Sequence, residues 1–299
     1  MYQKFCDSTL KISVAALLFL AFLGQNLGCA HLSTGPTSTG PTGAGDSPNL
    51  ETYSLQVKGE LGSQEVSSYR HISLVKISDD HNGIGQEKTQ TTDFEIQSEV
   101  LEIQNKYNHS HRIFAVTALN KKGPADLADL AFPDVGETLR YLIQDDGMVL
   151  YVQNHSPDSV FYVPSISLPQ TPVKVGDTWE LYKEWIGDSL GVPYQLHLVT
   201  IFKSIVECSN NKRCADLEIS GQVQMLGAEE QSVEFDSDIR GHIFFELDKG
   251  YIVSSHVQTQ EKMMTPISQV QVYSCLGSQN KDKEKQKTES EPTCQLPIM

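Results

Sequence analysis

Several groups of residues in this 299-residue chain have the types and spacing to do chemistry. Gly187-Asp188-Ser189-Leu190-Gly191 matches the G-x-S-x-G nucleophile elbow, where a serine on a strained strand-to-helix turn attacks an acyl carbon. His109 and His111 alternate as strand neighbours do, so both imidazoles could reach one metal ion. Asp79-Asp80-His81 could add carboxylates to such a site, and Asp145-Asp146 is a carboxylate pair. Each chemistry needs more than its letters. After Ser189 come Pro193 and "VPYQLHLVTIF", which read as a strand where the elbow demands a helix, so a glycine-flanked turn is expected. No third ligand accompanies His109 and His111, and both histidine clusters sit in polar, turn-like surroundings, so solvated loops are expected and no metal. Asp145 and Asp146 adjoin in a turn and should point apart as turn formers. The expectation is a protein with no catalytic residue, no metal and no cofactor.

The Gly-Asp-Ser-Leu letters also resemble the name-giving block of an esterase and lipase family, which would make Ser189 the nucleophile. That family places its serine near the start of an α/β domain and a D-x-x-H late in the chain. Here Ser189 lies mid-chain and no D-x-x-H follows, since Asp238 to His242 is one residue too long. A serine esterase is therefore the least favoured of three readings.

The six cysteines carry more weight. Cys6 falls within residues 1–28, which read as a signal peptide: Lys4 and Lys11 precede the 13-residue apolar run from Ile12 to Gly24, too short to span a bilayer. Leu27-Gly28-Cys29 resembles a bacterial lipobox, in which the cysteine thiol receives diacylglycerol. The pattern has an aliphatic residue three places before the cysteine, and here that place holds Asn26. The alternative, Gly28-Cys29-Ala30, is a small-x-small triplet for ordinary signal peptidase and would leave a soluble chain starting at His31. Residues 29–50 favour the first. "STGPTSTGPTGAGDSPN" has no aromatic or large aliphatic residue and repeats STGPT, so it should stay a flexible tether reaching about 25 Å at ~5–6 Å × √n. A lipidated Cys29 makes the membrane a partner through its acyl chains. By the enterobacterial sorting rule, Ala30 in place of Asp directs such a protein to the outer membrane of the bacterial envelope.

Four cysteines remain and permit three pairings. Cys208 and Cys214 flank the polar turn "SNNKR" between two strand-like runs, a spacing suited to a bridge across a hairpin mouth. Cys275 and Cys294 then pair by default. Each short loop would contribute about 2–3 kcal/mol, and the absence of C-x-x-C gives zinc or thioredoxin-like chemistry little support.

The net charge is −15, and losing the leader leaves 21 basic residues against 37 acidic. That balance argues against nucleic acid and against adhesion to anionic headgroups. The elements that must position any site are strands. "YSLQVKGEL", "FEIQSEVLEIQ", "YQLHLVTIF", "CADLEISGQVQML" and "VEFDSDIRGHIFFEL" alternate apolar and polar residues, with turn signals at Asn82-Gly83, Asp145-Asp146-Gly147 and Asp248-Lys249-Gly250. "GPADLADLAF" (123–132) alone invites a short helix. The fold class is mostly β: a curved, half-barrel-like antiparallel sheet over residues 51–276 with one short helix, a disordered N-terminal tether, and a disordered charged tail over 277–299 stapled by Cys294. The hairpins around Gly147 and Gly250 look alike, which either an internal duplication or the commonness of D-x-G turns explains.

"LPQTPVKVGDTWEL" (168–181) resembles an LP-x-x-P-V-x-x-G-D-x-W block of uncharacterised bacterial envelope lipoproteins. Some of these are related in shape to periplasmic carriers of lipoproteins and lipids, whose curved sheet cradles acyl chains. The resemblance implies an apolar ligand or a lipidated partner; the alternative is a scaffold displaying a protein-binding surface. Locally, Pro169 and Pro172 keep the chain extended, Val173 and Val175 should alternate inward, and Gly176-Asp177 should turn Trp179 into the core.

Overall fold

The computed structural model describes residues 51–77, 86–106, 109–128, 130–155, 166–186, 193–208, 212–226, 235–264 and 267–279. Cys29, Asp79, Asp80, His81, Asn82-Gly83, Ser189 and Cys294 lie outside these residues, as do the leader, the tether and the tail.

Eleven strands follow one another: β1 (Gln64–Ile77), β2 (Gln86–Lys106), β3 (His109–Lys122), β4 (Thr138–Gln144), β5 (Val149–Val152), β6 (Thr178–Ile186), β7 (Pro193–Cys208), β8 (Lys212–Met225), β9 (Phe235–Glu246), β10 (Tyr251–Met264) and β11 (Ile267–Gln279). The period-2 runs explain them. In β7, Tyr194, Leu196, Leu198, Thr200 and Phe202 are buried while the residues between them are not, which is the signature of a sheet with one covered face.

All pairings between strands are antiparallel, in the order β5-β4-β3-β2-β1-β11-β10-β9-β8-β7-β6. This is two five-strand meanders, β1–β5 and β6–β10, joined by β11 inserted between β1 and β10. The two D-x-G hairpins occupy the same ordinal place in each meander. β5 and β6 are the free edges, so the sheet stays unclosed. Register shifts at Glu95/Ile96, Val100/Glu102, Phe202/Ser204 and Ile252/Ser254 mark bulges, which add local bend and twist. The edges are guarded in two ways: β5 is only four residues long, and Lys183 on β6 turns a half-buried amine inward.

Among the described residues, the buried apolar side chains group into three clusters. One cluster spans β7–β9 and includes Leu196, Leu198, Phe202, Leu217, Ile243 and Phe245. A second lies on β4–β5 with Leu139, Tyr141 and Val152. The third, on β2–β3, packs Phe94, Ile96 and Ala118 with Leu127 and Leu130. Its aromatics form a triad: Tyr69 stacks on Phe94 at 4.9 Å, and Phe132 tilts against both at 4.8 and 5.1 Å.

Two straps cover the first cluster. Tyr53 and Val173 exchange backbone hydrogen bonds of 2.6 and 2.9 Å, placing Leu55, Ile166, Leu168 and Val173 over the sheet. The Val57 N–H donates to the Asp145 carbonyl at 2.7 Å and the Lys58 N–H to the Gly250 carbonyl at 2.9 Å. The first strap thus joins the turns of both D-x-G hairpins. The Cys208–Cys214 disulfide spans the β7–β8 hairpin with Cα atoms 5.9 Å apart, as the spacing predicts.

Three expectations are corrected. Residues 123–128 and 130–132 form bends and turns, and no helix is present among the described residues. The Leu130 N–H donates to Leu127 and the Ala131 N–H to Ala128, but Ala131 sits at φ 58, which ends any helical propagation. Burying Leu127 and Leu130 against the aromatic triad outweighs propensity here. Val175 points outward, 43% exposed, because the Gly176 turn begins there; only Val173 faces in. β11 runs to Gln279, three residues beyond the expected boundary. None of the described helical turns is long and apolar enough to cross a membrane.

Candidate functional site

Two places on this scaffold concentrate polar groups. The first lies where the β4–β5 turn meets the start of β3. Asp145 accepts from the Ser110 N–H at 3.0 Å through Oδ2, and its Oδ1 lies 3.1 Å from His109 Nδ1. Burial alone pushes the Asp145 carboxyl up, but the Ser110 N–H and the His109 ring override it and hold the group below its ordinary value. A carboxylate-oriented imidazole is the geometry of a general base. No nucleophile meets it among the described residues. The pocket lined by Gln56, His109, Asp145, Asp146, Pro169 and Gln170 holds about 60 Å³, well under the ~300 Å³ of small ligand pockets. Asp145 instead knits three segments together, since its carbonyl also takes the Val57 N–H.

Asp146 points elsewhere, accepting from Gln144 Nε2 at 2.9 Å and the Met148 N–H at 2.9 Å, so its carboxylate forms the turn as expected, whereas that of Asp145 is spent on β3. His109 and His111 present rings 6.4 Å apart. No third metal ligand joins them among the described residues. His109 is not a solvated loop residue; it is on β3 and held by Asp145, a partnership separated by 36 residues.

Ser189 falls in the connection 187–192 between β6 and β7, whose ends Ile186 and Pro193 pair directly. A strand follows where a nucleophile elbow needs a helix. Asp238 and His242, the near-miss to a late acid and base, are engaged separately: Gln222 Nε2 donates to Asp238 at 3.3 Å, and His242 Nδ1 lies 2.8 Å from Asp216. In the LP block, the Asp177 side chain accepts the Lys174 N–H at 3.0 Å, and Trp179 Nε1 donates to the Ser167 carbonyl at 2.8 Å while its ring packs on the first cluster.

The second place is the middle of the sheet, and nothing in the motifs pointed to it. Rows across the strands run Thr92–His71–Ser274–Val257 and Ser73–Val272–Thr259–Ile239, then Val75–Val270–Glu261–Ser237–Val223. His71, Ser73, Thr92, Thr259, Ser237 and Glu261 are all buried, yet none belongs to an apolar cluster. Burial drives the His71 pKa down to about 4, so the ring is neutral. Glu261 is 1% exposed, and neither carboxyl oxygen has a hydrogen-bond partner among the described residues; nor does Ser237 Oγ opposite it. Desolvation holds the Glu261 pKa far above the ordinary carboxyl value. Tyr194, nearby on β7, is raised first by burial and then by the Glu261 charge.

The contrast with Glu246 is informative. It is equally buried, but its oxygens accept the Asp248 and Lys249 N–H groups at 3.2 and 2.7 Å and cap the β9–β10 turn. Among the buried carboxyls, Asp145 and Glu246 hold turns together. Glu261 holds nothing. The sequence signal was parity: Val257, Thr259 and Glu261 share one side of β10, so an acid occupies an inward position.

Fold and site define an unclosed antiparallel β protein with a covered apolar face and a buried polar band across its middle. The chain matches no protein-family profile, and no curated protein matches it. Among solved structures it is similar to lipovitellin, from a study of lipid–protein interactions, with TM-score 0.39 and 10% identity over 74% of this chain and 25% of that one. The chain therefore spans about a quarter of that relative's length. It is also similar to DynF from the dynemicin biosynthesis pathway of Micromonospora chersina, with TM-score 0.22 and 6% identity over 82% of this chain and 95% of that one. Likenesses this distant carry no argument about function.

Proposed function

We propose that this chain is a lipid-anchored protein of the bacterial envelope that binds an apolar ligand or lipidated partner on the inner face of its sheet, without catalysis. One observation carries the reading. Among the described residues the sheet is unclosed and its buried apolar side chains fall into separate clusters, while the central strands β1 and β10 carry the buried polar His71, Ser73, Thr259 and Glu261. A buried polar group without a partner costs about 1–3 kcal/mol, so the Glu261 region is poorly explained as inert core. The anchor rests on Cys29 and on the Gly-, Ser-, Thr- and Pro-rich composition of the residues after it.

The test uses the full chain from its native membrane, with Cys29→Ala beside it. The wild type should partition with membrane and yield a co-purifying, non-covalent lipid by mass spectrometry, while Cys29→Ala should move to the aqueous fraction. Repeated absence of bound lipid would remove the binding role; a Cys29→Ala protein still in the membrane would remove the anchor. A second reading, a scaffold for protein partners, is favoured by Met148, Leu150 and Tyr151, which stand exposed along the β5 edge. Crosslinks from that edge to envelope proteins, with no lipid present, would support it.

A further inference from the structure

We propose that Glu261 and Ser237 form the head-group site for a cationic amphiphile, an alkylammonium-type molecule whose ammonium meets these side chains and whose chain lies along the apolar inner face. The proposal deepens the binding reading above and rests on it. Oε1 and Oε2 of Glu261, and Oγ of Ser237 directly opposite on the facing strand, have no hydrogen-bond partner among the described residues, and once the acid ionises they offer three acceptors. An ammonium carries three N–H donors and no acceptor, so its valences match that set. A carboxylate or phosphate head would instead bring a desolvated negative charge to a place where no charged group is found to act on Glu261.

No described basic side chain forms an ion pair with Glu261 or a charge interaction that moves its pKa; desolvation alone does so. Tyr194 is the titratable group whose own pKa registers the acid. Lys183, at the β6 edge, is shifted by burial and not by this carboxyl. On the next strand, β8, the row continues into Val223, which belongs to the first apolar cluster, so an alkyl chain leaving Glu261 in that direction meets hydrocarbon. The overall charge of −15 concentrates cations around the protein and repels anionic amphiphiles.

The proton balance gives the proposal a signature. In the unliganded protein desolvation raises the Glu261 pKa and so favours the protonated acid. When an ammonium binds, the acid ionises, its proton goes to solvent, and the carboxylate forms a charge-assisted pair with the head. Affinity for the amine should therefore rise as pH rises, and each binding event should release a proton.

The experiment displaces a neutral apolar dye, N-phenyl-1-naphthylamine, from the detergent-free full chain with dodecylamine, dodecanol or dodecanoate. Dodecylamine should displace it at roughly tenfold lower concentration than dodecanoate, the effect of one to two charge-assisted hydrogen bonds. Glu261→Gln, which keeps shape and removes the ionisable oxygen, should abolish both the preference and the pH dependence while still taking up dye. Ser237→Ala should weaken the preference. Equal displacement by amine and carboxylate in the wild type, or a preference that survives Glu261→Gln, overturns the head-group site and leaves the binding reading standing. No dye uptake and no displacement by any of the three overturns both.

Discussion

Gly250→Ala is expected to lower the unfolding free energy by about 3 kcal/mol, against about 1 kcal/mol for Gly176→Ala. Both glycines lie in the left-handed region, at φ 67 and φ 95, so both substitutions carry backbone strain. Their surroundings differ. A Cβ at Gly176 would meet nothing within 4 Å, whereas at Gly250 it would lie 2.2 Å from the Gln56 carbonyl oxygen and 2.7 Å from the Lys58 nitrogen. Backbone cannot swing aside as a side chain can, so the strap must lift. Lifting it breaks the Lys58 N–H to Gly250 bond and the bond from Lys58 Nζ to the Leu247 carbonyl, and it loosens Leu55 from the cluster beneath. Gly147→Ala should behave like Gly250→Ala, because its Cβ would come 2.3 Å from the Ile166 carbonyl oxygen under the second strap. Urea unfolding followed by tryptophan fluorescence measures the difference. Equal losses at Gly250 and Gly176 would mean the strap rides loosely on the hairpins.

That prediction also marks what the sequence could and could not convey. The alternation in "YQLHLVTIF" marked a strand covered on one face, with Tyr194, Leu196 and Leu198 buried against Gln195 and His197, but it gave no sign that Thr200 would lie buried between Val199 and Ile201. The D-x-G turns and the Cys208–Cys214 bridge were legible because each is decided by residues close together in the chain. Distance defeated the rest. Nothing in "YSLQVKGEL" says that it leaves the ladder and becomes a strap, since an extended strap and an edge strand share one pattern. The β1–β11 pairing joins residues about 200 apart, such as Tyr69 and Leu276, and no local rule anticipates it. The predicted helix failed because the apolar spacing of Leu127 and Leu130 fits one helical turn and a pair of successive turns equally well. Asp145 was read as a turn former and does sit in the turn, but its carboxylate's hold on His109 needed the fold. Glu261 was hidden by being one acid among many in a polar-looking run, where only its parity distinguished it.

Replacing that acid should make the protein more stable, and by an amount that depends on pH. Burial raises the Glu261 pKa in the fold and favours its protonated form, while in the unfolded chain a glutamate ionises above about pH 4.3. The sign follows: its folded pKa is raised, so whatever stability it contributes is fully present below the unfolded value and is lost as pH climbs toward the folded value. Over that span the wild type should lose about 1.4 kcal/mol per pH unit from this group. Glu261→Leu removes the ionisable group and both unsatisfied oxygens. The variant should already lead the wild type near pH 4 by about the 1–3 kcal/mol that an unpaired buried polar group costs, and should pull further ahead toward pH 7 as the wild type loses the stability tied to the proton. His71 lies on the same face and is held neutral with its pKa at about 4, so it destabilises both proteins as pH falls from 6.5 toward 4. Because it is common to both, it cancels in the difference. Denaturant unfolding of the pair at half-unit pH steps reads this directly. A gap that stays flat from pH 4 to 7 would show that Glu261 is ionised and paired in the fold. A widening gap, in a variant that has also lost its preference for amines, would identify Glu261 as a residue kept at the expense of stability for what it binds.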